Sequence, residues 1–175
     1  MENFESVCDY LKVSQPVNPV VCHRPHAARR SARWFLDHFP GDVLYAVKAN
    51  PSRLILDELY AAGIRHFDIA SLAELELVAG YKDARFYCMN PVKHPDTIRR
   101  MYFEFGVRDF ALDCMDELEK IRAVTGHAAD LRLYVRITVD NSTSRIPLDY
   151  KFGAHPDKAE ALLLSARTTA EELGI

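Results

Sequence analysis

Cysteine is scarce in this chain, and the cysteines that occur form no recognisable pattern. Four are present among the 175 residues, and no two are spaced as CxxC; they are Cys8, Cys22, Cys88 and Cys114. A disulfide framework or a structural zinc site needs closely spaced pairs, so this spread argues against both. Unpaired cysteines are typical of a reducing compartment, and we therefore expect a cytoplasmic protein.

Long apolar runs and an excess of one charge are also lacking. No run approaches the ~20 residues that a membrane-spanning helix needs, and residues 1–13 lack the basic-then-apolar layout of a signal peptide. The net charge of −3 gives no general attraction to nucleic acid or anionic membranes. A basic cluster between His23 and Arg33 surrounds Pro25 and alternates with apolar residues, which predicts the polar face of a helix rather than a nucleic-acid patch.

Common nucleotide-binding and metal-binding signatures are absent as well. Neither the dinucleotide fingerprint GxGxxG nor the Walker P-loop occurs in the sequence. The seven histidines show no ligand spacing such as HExxH, so we propose no metal site. These absences remove the commonest nucleotide and zinc chemistries from consideration.

A repeated pattern is present instead: a short apolar run followed by an amphipathic segment occurs five times. The predicted strands are Val43–Val47, His66–Ala70, Arg85–Met89, Asp109–Leu112 and Leu131–Ile137. The predicted helices are Arg53–Ala62, Leu72–Ala79, Pro95–Phe105, Met115–Val124 and Asp157–Leu173, with candidate capping glycines Gly63, Gly80, Gly106 and Gly174. Strands that alternate with helices predict an α/β fold with a parallel sheet.

Two architectures accommodate this pattern, an open doubly wound sheet and a (β/α)8 barrel. A barrel needs eight βα units and ~250 residues, whereas five units are present. If the fold is a barrel, this chain therefore stops partway round it.

The alternation of side chains along the strands predicts where a site would lie. Helices should cover the more apolar faces, which leaves Ala46, Lys48, Asp68 and Arg136 on the opposite face near the carboxyl ends of their strands. Barrel enzymes place their catalytic groups at that end. A lysine amine there can react with an aldehyde, and pyridoxal phosphate (PLP) is the commonest such cofactor.

Four stretches, in order along the chain, carry a family resemblance. They are YAVKAN (Tyr45–Asn50), FDIASLAELELV (Phe67–Val78), NPVKHPDTI (Asn90–Ile98), and LYVRI followed by YKFGA (Tyr150–Ala154). They resemble the PLP-dependent decarboxylases of basic amino acids, the ornithine and diaminopimelate decarboxylase family. The resemblance implies the first five βα units of a truncated PLP-binding (β/α)8 TIM barrel, without the family's C-terminal β-domain. Residues 1–40 would lead into the barrel, and residues 41–175 would form its partial wall.

The resemblance also implies a cofactor site. Lys48 would bind PLP covalently and move protons after decarboxylation, and Ala46 would keep the floor under the cofactor small. Asp68 would lie close to the ring and to Lys48, and Arg136 would orient groups around the pyridine. An alternative stays open for each charged residue. Lys48 could be a surface lysine at a strand end, Asp68 could be an acid that caps a turn, and Arg136 could form a structural ion pair within the barrel.

Two further residues have implied roles. Lys151 resembles the lysine that pairs with an acid of the other subunit, because the family's active sites lie at a dimer interface. Glu74 corresponds to a family acid near the cofactor, but it also completes an S-x-x-E capping box with Ser71, and both roles can hold. We interpret Asp113 and Asp116 as acids at a helix N-terminus.

The implied reaction is decarboxylation of a basic amino acid in a homodimeric enzyme. NPVKHP favours L-ornithine, whose product is putrescine, a polyamine precursor; lysine and diaminopimelate stay open as substrates. A non-catalytic homologue that acts as a regulatory binding protein stays open, as does a racemase-like relative. The sequence ends before the family's sixth strand, so we expect the 175-residue chain alone to be inactive.

Overall fold

In the part of the chain that the structure describes, five parallel strands alternate with helices, after two helices that precede the first strand. The computed structural model describes residues 3–141, 143–145 and 151–173, and the side chains of 169–173 are left out of the account. The strands are β1 (Leu44–Ala46), β2 (His66–Asp68), β3 (Arg85–Cys88), β4 (Asp109–Leu112) and β5 (Arg132–Val135). The helices are α1 (Val7–Ser14), α2 (Pro25–His38), α3 (Arg53–Ala62), α4 (Leu72–Val78), α5 (Pro95–Phe103), α6 (Met115–Val124) and α7 (Pro156–Leu173). No helix in these ranges is long and apolar enough to span a membrane.

The strand order distinguishes between the two predicted architectures. The strands lie in the order β1-β2-β3-β4-β5, and each is parallel to the next. A doubly wound sheet reverses its strand order at a switch point, and these five strands show no reversal. They also form a staggered row, because the residues that end β1 and β2 are level with those that begin β4 and β5. Such stagger is typical of the tilted strands of a barrel wall.

Most predicted elements are confirmed, with small differences at their ends. The predicted bounds of α3, β4 and α6 agree with the structure, and α2 begins at Pro25 as expected. Helix α1 was not predicted, because none of its residues is buried and it has no apolar stripe facing a core. It is capped by Ser6, whose hydroxyl accepts the N–H of Asp9 at 3.2 Å.

Two of the predicted capping glycines adopt the left-handed backbone that favours glycine. Gly63 follows α3 with φ +114°, and Gly106 lies after α5 with φ +70°. The prediction for Gly80 is wrong: the residue that caps α4 is Ala79, in a right-handed helical conformation, and Gly80 does not take a positive φ. Gly174 lies outside the described residues, as does Tyr150 of the YKFGA stretch.

The outer face of the sheet forms the hydrophobic core with the helices. Phe67 in β2 and Phe110 and Leu112 in β4 are fully buried there. Side chains of the covering helices complete the core, among them Leu56, Leu75, Ile98, Leu118 and Ile121. This burial is the main favourable contribution to folding, and it leaves the other face of the sheet for polar residues.

The inner face carries a cluster of hydrogen bonds centred on Asp109, whose side chain is only 1% exposed. Arg85 in β3 donates to both carboxylate oxygens, from Nε at 3.1 Å and Nη2 at 2.7 Å. Arg132 in β5 does the same at 2.8 and 2.7 Å, and the Tyr134 hydroxyl adds a bond at 2.9 Å. Burial by itself would raise the pKa of this carboxyl, but the bonds from Arg132, Arg85 and Tyr134 outweigh it and lower the pKa to about 2.

Because of this cluster, we expect the free energy of unfolding to depend on pH in the acidic range. The pKa of Asp109 in the folded chain lies below its ordinary value of 3.8. Its contribution to the free energy of unfolding is therefore fully present above pH 3.8 and is lost as the pH falls towards 2. Asp109→Asn should lower the free energy of unfolding at pH 7 by about 2 kcal/mol and weaken its dependence on pH between 4 and 2. Urea denaturation at several pH values measures both effects. Asp37→Asn, at an exposed position on α2, is the control, and equal stability of the Asp109 variant and wild type at pH 7 would contradict the prediction.

Candidate active site

Lys48 lies in a turn that follows β1, whereas the sequence predicts the direction of its side chain from the alternation along the strand. The ladder between β1 and β2 ends at the pair Ala46 and Asp68, and Val47–Ala49 then form one turn of 3-10 helix. The turn places the Val47 side chain in the core, where it is fully buried, and leaves Lys48 exposed. The lysine is therefore presented at the carboxyl end of the sheet, where a site was predicted, by a turn rather than by strand alternation.

Asp68 is the last residue of β2 and lies half-buried beside this turn. Its Oδ1 accepts the backbone N–H of Met89, at 3.3 Å, from the segment that follows β3. Burial raises the pKa of the Asp68 carboxyl above its usual range, and the positive charges of Lys48 and Arg136 oppose the shift, Lys48 more strongly. Asp68 thus lies within the electrostatic influence of both predicted basic residues.

Ala46 pairs with Asp68 across the sheet, so the two share the inner face. Its side chain is only a methyl group, so it leaves room beside the Asp68 carboxylate on that face. Ala46 thus lies beside Asp68 on the inner face, and its role as a small floor under a cofactor stays a prediction.

Glu74 is held by its capping interactions. The Ser71 hydroxyl accepts the N–H of Glu74 at 3.2 Å, and Glu74 Oε2 accepts the N–H of Ala70 at 2.9 Å. The predicted capping box is thus present, although the carboxylate reaches the residue before Ser71. Glu74 also raises the pKa of Asp68 through its negative charge, so it lies near the site while it caps α4.

Arg136 and Lys151 meet over one aromatic ring. Arg136 follows the last residue of β5, and its guanidinium carbon lies 5.4 Å from the centre of the Phe152 ring. The Lys151 ammonium lies 5.5 Å from the same ring centre. Both distances are within the range of cation–π attraction. The loop that contains Lys151 is thereby brought beside Arg136, which in turn acts on Asp68.

The lysine of NPVKHP is buried, which the sequence did not indicate. The Lys93 side chain is 1% exposed, and its ammonium donates to the carbonyls of Ala111 at 2.5 Å and Asn90 at 3.0 Å. It also forms an ion pair of 3.0 Å with Glu117 of α6. Lys93 therefore ties the β3–α5 loop to β4 and α6, and its ammonium is directed into the protein rather than towards a ligand.

Asp113 makes a long-range hydrogen bond that the sequence did not predict. It was interpreted as an acid at the start of α6, whereas its Oδ2 accepts the backbone N–H of Gly153 at 2.9 Å. The available signal was its position, because Asp113 follows β4 directly, much as Asp68 ends β2 and Arg136 follows β5. The Asp109 cluster was also missed, since nothing in the local pattern shows that Arg85 and Arg132 converge on it.

Known proteins resemble the chain over most of its length. Residues 26–175 match the family model described as "Pyridoxal-dependent decarboxylase, pyridoxal binding domain". The chain is 37% identical over 134 residues to the lysine/ornithine decarboxylase of Selenomonas ruminantium, a match that covers 74% of this chain and 33% of that protein. It is 36% identical over 141 residues to the ornithine decarboxylase of Neurospora crassa, covering 79% of this chain and 28% of the relative.

A solved structure supports the same relationship. The crystal structure of the lysine/ornithine decarboxylase of Vibrio vulnificus, complexed with putrescine, superposes with a TM-score of 0.73 at 28% identity. The match covers 93% of this chain and 42% of that one, so the chain spans less than half the length of the proteins that it resembles. Because the family model matches nearly the whole chain and the parallel sheet matches the solved fold, this chain belongs to the pyridoxal-dependent decarboxylases and carries their pyridoxal binding domain.

Proposed function

We propose that this chain is the cofactor-binding part of a decarboxylase of basic amino acids, with Lys48 as the residue that holds PLP. The observation that carries the proposal is the position of Lys48, exposed in a turn at the carboxyl end of the sheet and electrostatically coupled to Asp68. The match to the pyridoxal binding domain supports a pyridoxal cofactor as the group that binds this lysine.

The residues at this end of the sheet fit PLP. The cofactor carries an aldehyde that reacts with an amine, a ring whose nitrogen favours a carboxylate neighbour, and a phosphate. The site offers the Lys48 amine, the half-buried Asp68 carboxylate and the exposed Arg136 guanidinium. Ala46 adds little bulk to the inner face next to Asp68. The amine that the aldehyde needs is thus accompanied by a carboxylate and a guanidinium, which supports the proposal.

Each residue has a defined part in the proposed reaction. When bound, PLP supplies an electron sink for the pair that remains when the bond to the departing carboxylate breaks. Lys48 would hold the cofactor through Nζ, and its free Nζ would carry the proton that is delivered to the substrate α-carbon. Asp68 offsets the positive charge of Lys48, and Arg136 orients groups around the ring. Glu74 keeps the start of α4 next to Asp68.

L-ornithine is the proposed substrate, with putrescine as the product and polyamine synthesis as the context. The names of the relatives support this choice, since they are ornithine or lysine/ornithine decarboxylases. NPVKHP supports it only as a sequence resemblance, because the Lys93 ammonium is buried and directed into the protein. Lysine is proposed as a second substrate.

We also propose that the enzyme is a cytoplasmic homodimer. Lys151 is exposed on the loop beside Arg136, where it is available to pair with an acid of a second subunit. The proposal for the cytoplasm is based on the spread of the cysteines, three of which are exposed as free thiols.

Reduction of the PLP-loaded protein with borohydride tests the cofactor lysine. We expect a stable pyridoxyl label on the tryptic peptide that contains Lys48, identified by mass spectrometry. Lys48→Arg should abolish the label, whereas Lys82→Arg, at another exposed lysine, should leave it unchanged. A label on a different lysine would reject the assignment, and the absence of any label would favour a non-catalytic homologue.

Substrate preference is tested by side-by-side assays of ornithine, lysine and diaminopimelate with the longest natural form of this protein. We expect the highest kcat/KM for ornithine, lysine second, and the matching amine and carbon dioxide as products. If diaminopimelate were the best substrate, the choice of ornithine would be wrong while the reaction class would stand.

The 175-residue chain by itself is predicted to show no turnover of ornithine. Its matches span 33% and 28% of the length of the two relatives named above, and the remainder of those proteins has no counterpart in these matches. The assay uses purified chain with excess PLP, and a full-length relative serves as the positive control. A kcat of about 1 s⁻¹ or more, in the ordinary range for enzymes, would contradict this prediction.

A further inference from the structure

We propose that Asp113 is a positioning residue for the candidate active site. Its carboxylate fixes the loop of residues 151–154, and this loop in turn places Phe152 against the Arg136 guanidinium. The catalytic consequence of this inference rests on the proposed function, whereas its structural content does not.

Asp113 joins two distant parts of the chain. It follows the last residue of β4 and lies half-buried, and its Oδ2 accepts the N–H of Gly153 at 2.9 Å across 40 residues of sequence. A carboxylate is a strong acceptor for a backbone N–H, because a hydrogen bond to a charged group contributes more than one between neutral groups. The bond therefore holds the loop at the carboxyl end of the sheet.

Gly153 cannot be replaced without moving this loop. Its φ is +111°, and a Cβ atom there would lie 2.8 Å from the backbone nitrogen of Thr138 and 2.9 Å from the carbonyl carbon of Ile137. Both are backbone atoms, which cannot yield as the end of a flexible side chain does. The loop thus runs against the continuation of β5, and Asp113 bonds to the residue at the point of closest approach.

The backbone of Arg136 is held on one side by the end of β4 and on the other side by the same loop. The Arg136 N–H donates to Leu112 O at 2.8 Å, and its carbonyl accepts the N–H of Ala154 at 2.8 Å. The Thr138 N–H donates to Ala154 O at 2.9 Å, so Ile137 and Ala154 form an isolated parallel bridge. Arg136 is therefore held between the end of β4 and the loop that Asp113 fixes.

This arrangement gives Asp113 an indirect effect on Asp68. The Arg136 guanidinium lies over the Phe152 ring, one residue before Gly153, so its direction depends on where the loop places that ring. Arg136 in turn opposes the raised pKa of the Asp68 carboxyl. Displacement of the loop would change the direction of the Arg136 side chain. Lys48 and Asp68 would keep their positions, because they lie in the turn after β1 and in β2.

The simpler interpretation is that Asp113 only stabilises the N-terminus of α6 by its charge. Cys114 is the N-cap residue and makes no side-chain capping bond, and Asp116 and Glu117 already supply acids in the first turn. A charge effect and an acceptor effect respond differently to asparagine, which keeps an acceptor oxygen but carries no charge. This difference makes Asp113→Asn the decisive variant.

Hydrogen exchange of the PLP-free protein tests the structural content. We expect the Gly153 amide to exchange about tenfold faster in Asp113→Ala, because its hydrogen bond is lost, and at nearly the wild-type rate in Asp113→Asn. Asp116→Ala, which removes an exposed acid from the same helix start, should leave this amide unchanged. Unchanged exchange in Asp113→Ala, or an equal increase in Asp116→Ala, would overturn the proposal.

Kinetics of the longest natural form of this protein, loaded with PLP, test the catalytic consequence. Asp113→Ala should lower kcat more than Asp113→Asn does, and the double variant Asp113→Ala/Arg136→Ala should be no slower than Arg136→Ala, since both changes act through one group. Losses that multiply in the double variant would show that Asp113 acts independently of Arg136 and would overturn the catalytic part. If no decarboxylation occurs in any form, the proposed function fails while the exchange result still decides the role of Asp113 in the loop.

Discussion

The staggered register of the five strands is the constraint on which the rest of this structure depends. Ala46, Asp68, Tyr87, Asp109 and Arg132 form one row of paired residues. The row ends β1 and β2 but begins β4 and β5, so Asp68 lies at the carboxyl end of its strand and Asp109 at the amino end of its own. This offset divides the charged residues of the inner face between its two ends.

The two ends use charge in different ways. Around Asp109, two arginines and a tyrosine donate to one buried carboxylate, and this cluster links β3, β4 and β5 across the inner face. At the carboxyl end, Lys48 and Arg136 are exposed, and Asp68 is half-buried with a raised pKa. Charges that are matched by hydrogen bonds stabilise a fold, whereas incompletely matched charges at a strand end are available to a ligand.

The connections around the site have a structural role of their own. Lys93 ties the loop after β3 to β4 and α6, Glu74 caps α4, and Asp113 bonds the loop before α7. Each is a long-range or capping contact made by a polar side chain near the carboxyl end of the sheet. Polar contacts thus hold these three connections around the candidate site, in addition to apolar contacts such as those of Val47 and Ala154 with the core.

The sequence by itself determined the order and type of the elements and most of the candidate site. Apolar periodicity identified all five strands and the helices that pack on them, and the motifs singled out Lys48, Asp68, Glu74 and Arg136, because local pattern directly reflects which face of an element is buried. Only the tertiary structure decided the strand order, the turn that presents Lys48, the burial of Lys93, and the partners of Asp109 and Asp113. These features depend on contacts between residues that are far apart in the chain, as Asp113 and Gly153 are, and no local pattern encodes which distant residues meet.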